Sequence, residues 1–337
     1  MKIDFVITYL DGNDEKWIQE KNKYLLKENK EVDSTPKRFR NWDNLQYWFR
    51  GIEKFAPWVN KVFFVTCGQC PDWLNTYNEK LVLIDHKDYM PEAYRPAFSA
   101  SPIELNLHRI EELSEHFVFF NDDFFLTSET KETDFFINGL PCDSFVEDPL
   151  TFKDKETIND IIINDMIVIN NRFSRREVLH NNRKKIYSLA DKKGLVKNLV
   201  MSLLKRDEFV GLEFAHIPQP FLKSMFNRVW EENYDLLDRT SKAKFRSPDD
   251  VNQWLIKFYQ LLTNQFTPYN WRKSGRAFHL VDNGESNNVD EACEAIIYQK
   301  YKMVCLNDSK VVDFETTKNK VNNALESILN EKCSFEK

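Results

Sequence analysis

Residues 3–10 form a short, mostly apolar run rich in β-formers that ends at Asp11-Gly12-Asn13-Asp14, the pattern of a buried strand feeding a turn. The period then changes. Over 43–56, Leu45, Trp48, Phe49 and Ile52 recur at helical spacing, Asp43 with Gln46 three positions on predicts the cap, and Pro57 stops the helix. Residues 61–66 and 81–84 read as strands. Ser101-Pro102-Ile103-Glu104 predicts a helix start, with a hydroxyl cap, proline at the first helical position and Ile103, Leu107 and Ile110 as the buried stripe. Residues 117–120 read as a strand running into Asn121-Asp122-Asp123. The order β-α-β-β-α-β predicts an α/β fold, a mostly parallel Rossmann-like sheet with flanking helices.

Beyond residue 150 the pattern turns helical. Residues 172–208 hold 11 basic residues against four acidic ones. Within them Leu195, Val196, Leu199, Val200, Leu203 and Leu204 predict a basic amphipathic helix. Such a helix reads either as an ordinary one packed on the core with solvated lysines, or as an interfacial surface over 193–206 that meets anionic lipid or a phosphorylated acceptor. Phe221, Met225 and Val229 mark a further helix, and Ser247-Pro248-Asp249-Asp250 starts another that carries Val251, Trp254, Leu255 and Phe258. A late strand at 302–306 ends at Asn307-Asp308, and Val321, Leu325, Ile328 and Leu329 stripe a terminal helix. The expected organisation is one catalytic domain over 1–330. It comprises an α/β half (1–150), a basic helical insertion (151–210) and a helix-rich half (211–330) that completes the site.

The 337 residues suffice for a core without disulfide or metal staples. With 42% apolar residues and 27 Phe, disorder is excluded. A net charge of −6 excludes general electrostatic binding of nucleic acid. The N-terminus lacks the pattern of a signal peptide and no apolar run is long enough to span a bilayer, so the expected location is intracellular. Six cysteines are scattered, and Cys67-Gly68-Gln69-Cys70, the one close pair, lacks the second pair that a zinc site requires.

Three predicted strands end in carboxylates: Asp11 with Asp14, Asp122 with Asp123, and Asp308. Ligands of open α/β sheets bind outside the carboxyl ends of strands, so these acids are candidates for one crevice, where a hard divalent ion bridging to a diphosphate would relieve their repulsion. Asp and Asn are also ordinary turn residues. His216, fixed between prolines in Ala215-His216-Ile217-Pro218-Gln219-Pro220, reads as a positioned general base or as a structural histidine. Arg246, just before the Ser247 cap, suits an anion. Arg38 and Arg40 precede the first helix, and His108 and Arg109 lie late on the Ser101 helix, lining the crevice or merely solvated. No GxGxxG, Walker A, GxSxG or HExxH pattern occurs.

Taken in order, the blocks IDFVITYLDGND (3–14), RFRNWDNLQYWFRGIEKFAPWVNKVFFVTCGQCPDWL (38–74), PAFSASPIELNLHRIEELSEHFVFFNDDFFL (96–126), HIPQP (216–220) with FRSPDD (245–250), and MVCLNDSK (303–310) resemble the Stealth family of sugar-1-phosphate transferases. The resemblance implies transfer of a hexose-1-phosphate from a UDP-sugar donor to a lipid-linked or oligosaccharide acceptor. His216 would be the base, Arg246 and Asp122 further catalytic residues, and Asp123 and Asp308 the ligands of Mg2+ or Mn2+. Asp122 stays an alternative metal ligand. Asp11, Gly12, Asp14, Arg38, Arg40, Asp43, His108 and Arg109 would hold the nucleotide sugar. The family also implies a bacterial cytoplasmic enzyme working at the inner membrane face. The chain departs from the family pattern at Asn41, Trp42 and Asn44, and at Ser99-Ala100-Ser101, positions that bear on sugar and acceptor preference. Two rival readings are a metal-dependent glycosyltransferase releasing UDP and a non-catalytic membrane-surface scaffold.

Overall fold

The computed structural model describes residues 1–28, 40–152, 156–283 and 287–337. In chain order the strands are β1 (Ile3–Thr8), β2 (Val62–Thr66), β3 (Leu81–Asp85), β4 (His116–Phe120), β5 (Phe124–Leu126) and β6 (Phe136–Ile137). They continue as β7 (Leu140–Asp143), β8 (Gln219–Leu222), β9 (Thr267–Pro268), β10 (Gly275–Val281) and β11 (Met303–Lys310). The central sheet runs β3-β2-β1-β4-β8, with β1, β2, β3 and β4 parallel and β8 antiparallel on the edge of β4. A second sheet runs β10-β11-β5 and a third β6-β7-β9. The protein is thus mixed α/β with a parallel-rich central sheet and flanking helices.

The central strands are covered on both faces, which is why they read as unbroken apolar runs rather than alternating ones. Phe5, Val6, Ile7, Phe63, Phe64, Phe117 and Phe120 are fully buried. The helix Leu45–Phe55 lays Leu45, Trp48, Phe49 and Ile52 on this sheet, the Trp48 ring meeting Phe120 edge-on at 5.4 Å. Complete burial of each such side chain contributes about 1.5–3 kcal/mol. The buried apolar cluster draws residues from Ile3 to Phe335, so the late helix Phe314–Ile328 belongs to it as well.

Several element boundaries differ from the sequence expectation, each for a local reason. Asn44, not Asp43, precedes the first of these helices; Asp43 adopts φ 49° and pairs with Lys318. The Ser101 helix spans only Ala100–Leu105, with Ser99 at its N-cap. It breaks at Asn106, whose side-chain amide turns back to Pro102 O (2.8 Å) and across to Ser241 (2.9 Å), and a 3-10 turn follows at Leu107–Arg109. Phe221 lies in β8, and the helix after it spans Lys223–Glu232. The Ser247 segment is a turn closed by Asp250, whose carboxylate accepts the Ser247 amide at 2.8 Å. The helix itself starts at Gln253, capped by Asn252, so Arg246 does not sit at a helix N-terminus. Finally, β11 continues through Asn307 and Asp308 because β10, a strand the sequence reading missed, pairs with it as far as Lys310.

Candidate active site

Chain connections leave β1 towards β2 on one side and β4 on the other, the switch at which open α/β sheets bind ligands. A cleft of about 1710 Å³ opens there. It is walled by Tyr9 and Leu10 after β1, Asp122 and Asp123 after β4, the His216 loop, Arg246, and the β10–β11 face bearing His279 and Asp308. Arg40 also lines it. The fold therefore brings His216, Arg246, Asp122, Asp123, Asp308 and Arg40 together from segments up to 268 positions apart, counting from 40 to 308.

Asp122 and Asp123 occupy the tight turn by which the chain leaves the central sheet and enters the second, closed by the Phe124 amide on Asn121 O at 3.1 Å. Asp122 is open to the cleft, yet the surrounding protein mass strips it of water. That desolvation, reinforced by Asp123, pushes its carboxyl up to about 7. Asp123 turns the other way. Its Oδ2 accepts the Cys305 thiol and the Asn307 amide, both at 3.3 Å, while its buried Oδ1 has no hydrogen-bond partner.

Cys305 Sγ also lies 3.4 Å from His216 Nδ1, and the donor atoms of Asp123, His216 and Cys305 all fall within 4.8 Å of one another. An orphaned, buried carboxylate oxygen fits a cation, and an imidazole and a thiol beside it favour a softer ion than Mg2+. Asp308 stands outside this triad, its carboxylate 3.7 Å from Arg40, whose guanidinium rests over the Phe314 ring at 4.9 Å.

His216 is held from both sides. Burial lowers its pKa, Asp123 opposes that, and His279 adds to it. The Phe124 ring meets the imidazole edge-on at 5.0 Å. The backbone on either side is clamped by Gln219, whose amide donates to both Ala215 O and Ile217 O at 2.5 Å. Lys257, itself buried, donates to the Gln219 carbonyl oxygen and pairs with Asp143 at 3.1 Å. Nothing local in the sequence marks this Gln219–Lys257–Asp143 chain as the support of His216; it is visible only once β7, β8 and the helix Gln253–Leu262 are packed.

Across the cleft, Glu104 is buried, and that burial raises its carboxyl to about 7 against the attraction of Arg246. In the sequence Glu104 reads as a capping residue; in space it is the buried carboxyl neighbour of a cleft arginine.

The other expected site residues lie off the cleft wall. Asp11 accepts the Asn13 amide (3.0 Å) and folds the turn that contains Gly12, while Asp14 accepts the Trp17 amide (2.7 Å) and caps the helix Glu15–Glu28. Asp43 is bound to Lys318. His108 is buried between the rings of Phe226 (6.0 Å) and Trp230 (5.8 Å), and burial holds its pKa down at about 3. Arg109 lies over Trp230 at 4.7 Å and donates to Asn106 at 2.8 Å. These two residues serve the packing of the helix Lys223–Glu232. Arg38 lies outside the described residues.

Comparison with known proteins places this geometry in context. Residues 38–142 match the family model Stealth protein CR2, conserved region 2. The chain is 37% identical over 338 residues to a capsular polysaccharide phosphotransferase WcwK of Streptococcus pneumoniae, covering 100% of this chain and 98% of that one. It is 40% identical over 341 residues to the receptor polysaccharide phosphotransferase WefC of Streptococcus oralis, covering 99% of each. With the exopolysaccharide phosphotransferase cps2G of Lactiplantibacillus plantarum it shares 36% over 338 residues, covering 99% and 96%. Among solved structures, the apo bifunctional glycosyltransferase WbbM aligns with a TM-score of 0.40 at 12% identity, over 97% of this chain and 50% of that one. Near-complete alignment to several phosphotransferases, over a chain whose carboxylates, arginine and histidine meet in one cleft, identifies it as an enzyme: the chain belongs to the Stealth family and is a phosphotransferase.

Proposed function

We propose that this enzyme transfers a hexose-1-phosphate, such as an N-acetylhexosamine-1-phosphate, from a UDP-sugar to a glycan hydroxyl, leaving a phosphodiester in a capsular or other cell-surface polysaccharide. The observation that supports this most is the meeting of His216 with Asp122, Asp123, Asp308, Arg246 and Arg40 in one cleft. The names of the relatives supply the phosphotransfer and the polysaccharide. In the reaction the acceptor oxygen attacks the phosphorus that bears the sugar. The bond from that phosphorus to the bridging diphosphate oxygen breaks, and UMP leaves.

His216 takes the hydroxyl proton. Its depressed pKa keeps the imidazole neutral at pH 7, and because Nδ1 faces the Cys305 thiol, Nε2 is the nitrogen that serves as base. Arg246 and Arg40 stabilise charge on the phosphoryl oxygens, and Asp122, with a pKa near 7, orients the donor by hydrogen bonding in either protonation state. A divalent cation, Mn2+ in preference to Mg2+, would be held by Asp123 with Cys305 at its side and would neutralise charge on the diphosphate. Asp11 and Gly12 act on the donor through the shape of the turn they form, and Asp14 through the helix it caps. The division into an α/β half (1–150), a basic insertion (151–210) and a completing half (211–330) follows the same logic, and the expected setting is the cytoplasmic face of a bacterial membrane.

Product analysis tests this reading. Incubated with Mn2+, a panel of UDP-hexoses and oligosaccharide or lipid-linked acceptors, the protein releases UMP in an acceptor-dependent way. His216→Ala lowers that rate by about 10²–10⁴-fold with the fold intact. Release of UDP would mean attack at the anomeric carbon and overturn the proposal.

A further inference from the structure

We propose that the helix Lys192–Met201 and the residues that follow it form a docking face for an anionic lipid surface. The helix is packed the wrong way round for a water-soluble one. Its buried side holds Gly194, Asn198 and a single large apolar side chain, Met201: a Cβ on Gly194 would come within 2.6 Å of Val146, so only glycine permits this approach. Asn198 donates to Phe145 O (2.8 Å) and Ile186 O (2.9 Å) and accepts the Glu147 amide (2.9 Å). Arg175, buried against Glu147 at 2.7 Å, then pins the far end through Met201 O at 2.7 Å and Leu204 O at 3.2 Å.

With polar contacts fixing its inner side, the apolar stripe points outward. Val196, Leu199 and Val200, at the i, i+3, i+4 spacing of one helix face, and Leu203 in the turn that follows are 61%, 52%, 60% and 76% exposed. A contiguous exposed stripe of this kind marks an interaction surface.

Charge selects the occupant. Residues 183–206 carry eight Lys and Arg against a single acid, Asp191, which is itself engaged by Arg272. Lys192, Lys193 and Lys205 are exposed beside the stripe. A second copy of this face would bring like charges together, whereas a phosphate-bearing leaflet matches the cations and its acyl boundary takes the leucines. The chain as a whole carries −6, so the excess of positive charge over these residues is a local feature. The face is also tied to the cleft. Asp191 caps the helix and is bound by Arg272, a cleft-wall residue that reaches on to Glu213. Docking would therefore bring that wall of the cleft to the bilayer.

Flotation of the full chain with vesicles tests the proposal without using activity. The protein floats with phosphatidylglycerol-containing vesicles, less at high salt, and stays behind with pure phosphatidylcholine. The double variant Leu199→Glu, Leu203→Glu and the triple variant Lys192→Glu, Lys193→Glu, Lys205→Glu each weaken binding by at least about tenfold at unchanged melting temperature. Failure of the wild type to float would overturn it, as would binding that both variants leave untouched. So would a dimer in sedimentation that Leu199→Glu, Leu203→Glu dissolves, since a second copy would then be the occupant.

Discussion

Replacing Gln219 by methionine removes the clamp on His216 while keeping the side chain's length and packing. Gln219 is 2% exposed and its amide satisfies the carbonyls of Ala215 and Ile217. Methionine leaves both carbonyls without that donor, and an unsatisfied buried polar group costs about 1–3 kcal/mol. Lys257 keeps Asp143 at 3.1 Å, so the ammonium is not stranded. The expected loss is roughly 2–6 kcal/mol, against the ~5–15 kcal/mol that a folded protein has in reserve. With an unfolding entropy of about 2.1 cal/mol/K per residue, a chain of 337 residues loses on the order of 1.5 °C per kcal/mol, so its melting temperature falls by about 3–9 °C. The backbone around His216 then loosens, and kcat for UMP release falls by up to roughly 10²-fold, the penalty for a base displaced by about 1 Å. Donor KM changes little, because the bonds of the Gln219 side chain run to the His216 loop and to Lys257. The assay pairs a thermal melt with initial rates over a donor titration. An unchanged melting temperature together with an unchanged kcat would refute the clamp, and a pure KM effect would refute its assignment to His216.

Three further outcomes are expected. Asp123→Asn removes the orphaned carboxylate charge and weakens Mn2+ binding in calorimetry by about tenfold or more; equal affinity would take Asp123 out of the metal site. Glu104, raised from 4.5 to about 7, is protonated in both folded and unfolded chains below pH 4.5. Between pH 4.5 and 7 the folded chain retains a proton that the unfolded chain has lost, so stability declines as pH rises and stays lower above 7. Glu104→Gln therefore gains melting temperature over the wild type from pH 5 to pH 8, and an offset independent of pH would contradict the burial argument. Arg40→Ala loses its 3.7 Å approach to Asp308, and donor KM rises roughly tenfold with kcat less affected; an unchanged KM would separate Arg40 from the donor.

The parallel strands were legible because burial on both faces writes itself as apolar runs, and the acids at the ends of β1 and β4 were legible because strand ends are where turns and ligands compete for Asp. Helix starts were less so. Ser101 and Ser247 both carry capping chemistry, but Asn106 redirects the backbone through a bond to Ser241 that no local window contains, and Asp250 closes the Ser247 segment into a turn instead of a helix. His108 and Arg109 look chemical in a sequence and are held among aromatic rings in space. The supports of the site stay hidden for the same reason: Cys305 meets His216 at a separation of 89, and Gln219, though local to His216, is itself held by Lys257 at a separation of 38. In the basic helix the period was plain but its inner side was not. Gly194 and Asn198 decide that, against the leucines.

The turn that carries Asp122 and Asp123 has a consequence for how the protein is made. Asp123 finishes its shell only when β11 slides between β5 and β10, and Cys305 stands 182 residues beyond it. During synthesis the strands β1 to β4 emerge early and close their sheet from near neighbours, while the cleft acids wait for the last stretch of chain. Contacts of such long sequence separation form late and slowly. A nascent or clipped chain that ends before residue 303 would therefore present a largely assembled sheet with two unshielded carboxylates and no working site, so catalytic competence is the last property this chain acquires as it folds.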